Sequence, residues 1–144
     1  MVIAVIAGIA VLIIVVVLIV RKSAVRLTIA ELPPLLTKLR NGADRNGFVG
    51  FVGEGPQALY FVYENGTFWL DFEIFVSALE EYAEPFRRVA AELKHDVITT
   101  SYDNEHTVLR IKLSSSENEA VEQAYEVAHR WAGIERDTRL QVLP

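Results

Sequence analysis

Residues 58–74 read ALYFVYENGTFWLDFEI, and this stretch decides the fold. Two runs rich in aromatic and β-branched residues flank Glu64-Asn65-Gly66-Thr67, and Asn-Gly is the preferred pair for a tight hairpin turn. That turn sets the register: Tyr63 opposite Phe68, Phe61 opposite Leu70, Leu59 opposite Phe72. Because side chains alternate across a strand, these six share one wholly apolar face, which must be the core. The other face then pairs Val62 with Trp69, Tyr60 with Asp71 and Ala58 with Glu73.

Working outward, Gly47 to Gly53 (GFVGFVG) reads as a short strand interrupted by Gly50. Ahead of it, Thr28 to Arg40 carries Ile29, Leu32, Leu35, Leu36 and Leu39 at helical spacing, with Thr28 and Glu31 placed as a capping box and Asn41-Gly42 as the stop. After the hairpin, Ser77 and Glu80 form a second capping box. It opens a helix to about Lys94 whose apolar face runs through Leu79, Tyr82, Ala83, Phe86, Val89, Ala90 and Leu93. Pro85 lies inside it and is expected to kink or divide it. Val97 to Tyr102 and Thr107 to Leu113 read as another hairpin; a two-residue loop there puts Ile98, Thr100, Leu109 and Ile111 inward and Thr99, Arg110 and Lys112 outward. Ser116 and Glu119 open a last helix, with Val121, Ala124, Tyr125, Ala128, Trp131 and Ala132 on one stripe, ending at Gly133. A final strand, Arg139 to Leu143, is expected at a sheet edge. The expected fold class is α+β, an antiparallel sheet with helices packed on it in the order α-β-β-β-α-β-β-α(-β).

Composition divides the chain. Nineteen of the first twenty residues are hydrophobic and the other is Gly8, which leaves a hydrophobic fraction of about 44% for the rest, ordinary for a globular domain. About twenty apolar residues in a helix span a hydrocarbon core, so residues 1–20 are expected to form a single N-terminal transmembrane helix. Arg21, Lys22 and Arg26 are its membrane flank, within a basic juxtamembrane segment at 21–27. By the positive-inside rule they place residues 28–144 as a cytoplasmic domain and the N-terminus outside, a single-pass protein of the cell membrane.

Without Arg21 and Lys22 the chain has 12 Lys plus Arg against 19 Asp plus Glu. So acidic a domain should be repelled by anionic head groups and by nucleic acid. The chain has no cysteine, which excludes a disulfide framework, a thiolate metal site and a thiol nucleophile. His95, His106 and His129 fall at a helix end, in a hairpin turn and on a helix, without the Ser or Asp pattern of a nucleophilic triad. Glu80, Glu81 and Glu84 are helix-start residues, where negative charge is favoured. Gly47, Gly50, Gly53 and Gly55 alternate like a strand and open into no helix, unlike a phosphate cradle. No catalytic residue, cofactor or metal ligand is expected, and the chain is not read as an enzyme.

An excess of apolar side chains remains for the second face of the sheet. Tyr60, Val62 and Trp69 lie there, with Val49 and Phe51 in one phase of the first strand or Phe48 and Val52 in the other. Either a helix or a second copy of the chain covers them, or they form a docking surface, with Trp69 and Tyr60 as anchors and Asp71 and Glu73 as rim. Tyr60, Val62, Trp69 and Phe51 are the candidate partner-binding residues.

The stretch NGFVGFVGEGPQALYFVYENGTFWLDFEI (Asn46 to Ile74), followed by Val89-Ala90-Ala91-Glu92-Leu93, resembles the YbjN-type family of bacterial sensory transduction regulators, which has a type III secretion chaperone-like fold. The resemblance covers roughly 28–132 and rests on element order and hydrophobic pattern. It implies a binding module, often dimeric, that holds a protein partner. With the apolar segment, it leads to the expectation of a membrane-anchored accessory, assembly or adaptor subunit of a larger membrane protein complex. The other expectation is a membrane-tethered, homodimeric regulator that senses a small ligand.

Overall fold

The computed structural model describes residues 25–43, 47–52, 58–101 and 103–143. The hairpin of 58–74 is its centre. β3 (Ala58–Glu64) and β4 (Thr67–Phe75) pair in the expected register, Leu59 opposite Phe72 through Tyr63 opposite Phe68. Asn65 and Gly66 take φ of 52° and 77°, the left-handed pair that a tight turn joining right-twisted strands requires.

β2 (Phe48–Val52) lies beside β3, and β6 (His106–Lys112) lies on the far side of β4 with β5 (Val97–Ser101) outside it. β1 (Arg26–Leu27) and β7 (Leu140–Val142) complete an antiparallel sheet of order β1-β7-β2-β3-β4-β6-β5. Two expectations change here. The final strand is internal, between β1 and β2. Arg26, placed by the sequence in a juxtamembrane segment, is in a strand opposite Gln141.

The three helices described, α1 (Pro33–Arg40), α2 (Leu79–Glu92) and α3 (Glu117–Ala132), pack on the face that carries Leu59, Phe61, Leu70 and Phe72. α3 packs against both α1 and α2. The Phe72 ring lies 5.2 Å from that of Phe86 and 4.3 Å from that of Trp131, centre to centre, so one aromatic cluster joins the sheet to α2 and α3. Glu31 caps the chain entering α1, its Oε2 accepting from the backbone N–H of Thr28 at 2.8 Å. The helix starts later than the expected Ser77–Glu80 box would place it: α2 begins at Leu79 after a 3-10 turn, with Ala78 at the cap position, and continues through Pro85 as one helix.

Among the described residues no helix is long and apolar enough to cross a membrane. The longest, α3, has 16 residues and leaves Glu119, Glu122, Glu126 and Arg130 exposed, which suits a helix half in water. The expectation of a transmembrane helix at 1–20, of bilayer contact through it, and of a single-pass cell-membrane protein with a cytoplasmic domain is corrected accordingly. The fold is an α+β sheet domain with no membrane span among its described residues. Residues 1–20, with Arg21 and Lys22, lie outside the described residues.

The β5–β6 hairpin differs from its expected form by one residue. Ser101 pairs with Thr107 and Ile98 with Arg110, whereas a two-residue loop would set Ile98 opposite Ile111. The cause is Asp103. Its Oδ1 accepts the backbone N–H groups of Glu105 (2.7 Å) and His106 (2.6 Å), folding the turn around a side chain and widening it. A slip of one residue exchanges the faces of a strand. Ile98 and Thr100 therefore lie on the outer face, and Ile98 is 50% exposed.

Candidate functional site

With the described helices on one side, the other face of the sheet carries its side chains without a covering layer from the described residues. Strand pairing arranges them in rows. Phe48, Val62, Trp69 and Lys112 form one row; Gly50, Tyr60, Asp71, Arg110 and Ile98 form the next. Glu73, Val108 and Thr100 form a third, and Phe75 with His106 a fourth.

Of the expected anchors, the structure brings Tyr60, Val62 and Trp69 together on this face, all half-buried. Phe48 joins them, its ring edge-on to Tyr60 at 5.3 Å, because Val49 is buried in the core and fixes the phase of β2. Phe51 is described by its backbone alone, which lies opposite Leu59 and Val142, on the core line of the register. Gly50 has a steric reason. A Cβ there would lie 2.8 and 2.9 Å from atoms of the Tyr60 ring and 3.0 Å from Leu143, so the missing side chain lets that ring lie flat across β2.

The centre of the face is polar. Arg110 donates from Nε to Asp71 Oδ1 at 2.6 Å and from Nη2 to Asp71 Oδ2 at 2.7 Å. Its Nη1 donates to Glu64 Oε2 at 2.8 Å, and its guanidinium sits 5.6 Å from the centre of the Trp69 ring. Asp71 is 9% exposed, so the bidentate pair neutralises a carboxylate that is nearly out of water. Hydrogen bonding to Asp71 holds Arg110 more firmly charged than a free guanidinium, against an opposing effect of burial. Trp69 is anchored on its other side, Nε1 donating to the Glu64 carbonyl at 3.4 Å.

A hollow of about 480 Å³ opens over this pair, between Phe48 and Tyr60 on one side and Val108 and Thr100 on the other. A second, of about 380 Å³, lies past the end of β4 between Phe75, Ala78 and Tyr82. Tyr60 and Glu73 line both.

The histidines are separated. His106 Nδ1 lies 2.9 Å from Asp103 Oδ2, and the hydrogen bond to Asp103 raises its pKa above the ordinary 6.5. Burial lowers that of His95, and His129 Nδ1 faces the Ile134 carbonyl at 2.9 Å. Among the described residues no group of three or more His, Asp or Glu is placed to hold a metal ion.

The Asp71–Arg110 pair was not legible in the sequence. Its members are 39 residues apart, and β4 meets β6 only through the connection made by α2. A carboxylate set opposite Tyr60 between Leu70 and Phe72 was the available signal, since such a group needs a cation from the next strand.

No protein-family model matches the chain, and no curated protein or solved structure does either.

Proposed function

We propose that this domain is a protein-binding module, an accessory, assembly or adaptor subunit of a larger protein complex, and that it docks through the face of its sheet that the described helices leave uncovered. One observation carries the reading. Phe48, Tyr60, Val62, Trp69, Val108 and Ile98 share a face that none of the described helices covers, around a central ion pair that is already satisfied. Exposed apolar surface with aromatic anchors marks an interface, and here the charged groups expected at its rim stand instead at its centre, Asp71 neutralised by Arg110. The likeness of residues 46–74 to the YbjN-type family and its chaperone-like fold supports the same reading. A second reading, small-ligand sensing, draws on the hollow beside Phe75 and Tyr82.

Truncating the anchors separates docking from folding. Trp69→Ala and Tyr60→Ala should each lower stability by only about 1–2 kcal/mol, because their side chains are partly exposed, whereas Phe72→Ala should cost about 3–5 kcal/mol. Proteins that co-purify with the full chain should be lost with Trp69→Ala and Tyr60→Ala while circular dichroism stays unchanged. Retention of the same proteins by both variants would refute docking through this face. Unfolding of Trp69→Ala would refute its placement outside the core.

A further inference from the structure

The charge pattern of the face specifies its partner. The central strands bring three carboxylates to it, and Arg110 holds two, Asp71 with a bidentate pair and Glu64 at 2.8 Å. Glu73 is the third. Its Oε1 lies 3.9 Å from His106 Nε2, beyond hydrogen-bonding reach, and the other ring nitrogen of that histidine is engaged by Asp103 at 2.9 Å. The Glu73 side chain is 31% exposed and lines both hollows, beside Tyr60 in each and near Phe75, which is 60% exposed.

A carboxylate already two-thirds covered keeps most of its remaining hydration on the side a partner would approach. An apolar partner seated on Tyr60 and Val108 would strip that water and leave the charge with no closer counter-charge than the His106 ring at 3.9 Å, too far for a hydrogen bond, a penalty that opposes what the apolar contacts return. A guanidinium or ammonium carried by the partner removes the penalty.

Resting on the docking reading above, we propose that the occupant of this face is a segment of a partner protein that presents an arginine or lysine side chain among apolar residues. The cation pairs with Glu73 between the two hollows, and the flanking apolar side chains fill the space beside Tyr60, Phe48 and Val108. Glu73 is then the residue that selects partners, and a partner with an acidic or purely apolar segment is rejected.

The test is selection of short random peptides, displayed on a surface, against the full chain and three variants checked for folding by circular dichroism. Peptides selected by the unaltered chain should combine a basic residue with apolar neighbours. Glu73→Gln, which keeps the shape and removes the charge, should weaken them by about tenfold or more, and Glu73→Lys should shift the selection toward acidic residues. Selected peptides without basic enrichment, an unchanged preference on Glu73→Gln, or no selection at all would overturn the proposal. Trp69→Asp keeps the two readings apart. Peptides that lack a basic residue but are lost on Trp69→Asp leave the docking face standing and remove the cation anchor. Peptides that bind Trp69→Asp as well as the unaltered chain remove the docking face itself.

Discussion

Replacing Arg110 by methionine tests the polar centre of the outer face most directly. The change keeps an apolar stem of similar reach and deletes the guanidinium, leaving the Asp71 carboxylate with neither of its bonds at 2.6 and 2.7 Å. A fully buried pair broken in this way costs about 3–5 kcal/mol, and an exposed one under about 1 kcal/mol. Here the Asp71 side chain is 12% exposed and that of Arg110 24%, so the loss should fall between these limits, at about 2–3 kcal/mol. Urea denaturation gives the readout; with an m-value of about 1.5 kcal/mol/M for a domain of this size, the midpoint should drop by about 1.3–2 M. Part of that loss belongs to Glu64 and to the Trp69 ring, and a double-mutant cycle with Asp71→Asn removes both contributions. Asparagine asks for no counter-charge, so the double variant should regain about 1–2 kcal/mol over Arg110→Met alone. A cost below about 1 kcal/mol for Arg110→Met, with coupling under about 0.5 kcal/mol, would place the pair in water and refute its role as the floor of the face.

Two further outcomes are expected. Gly50→Ala should cost about 1–3 kcal/mol and move the Tyr60 ring, because the new Cβ would sit 2.8 Å from it; unchanged contacts between residue 50 and that ring in NMR spectra would contradict the packing. The histidines should titrate on opposite sides of 6.5, His106 above because of Asp103 and His95 below because of burial, and Asp103→Asn should lower the His106 midpoint. A raised His106 contributes stability that is present below 6.5 and is lost as pH rises through its folded value. Asp103, held below 3.8 by its bonds to His106 and Glu105, contributes above that pH and loses the contribution as pH falls through its lowered value. Half-buried His95, whose desolvation disfavours the charged form, opposes the fold once protonated, so its effect appears as pH falls below 6.5. A His106 midpoint at or below that of His95 would refute both assignments.

How far the sequence can be read depends on how local each determinant is. Asn65-Gly66 needs no distant partner to form its turn, so the β3–β4 register and the apolar face with Phe61, Leu70 and Phe72 follow from 17 consecutive residues. The helical stripes of α1, α2 and α3 are likewise local, since the spacing of apolar positions along one element already defines a face. The β5–β6 register was missed because Asp103 builds its turn from a side chain, a geometry that the spacing of flanking residues does not encode. Length and hydropathy alone supported a membrane span at 1–20, and the described residues contain none.

What the sequence determined by itself is therefore the α+β class, the central hairpin and which side of it is oil. Tertiary structure alone decided which face the described helices leave uncovered, that Ile98 and Phe48 extend it, and that Arg110 crosses from β6 to satisfy Asp71 and Glu64 but not Glu73. The reason is physical: periodicity is a property of neighbours along the chain. Pairing between β4 and β6, and the charge it leaves over, arises between residues that only folding brings within a few ångströms.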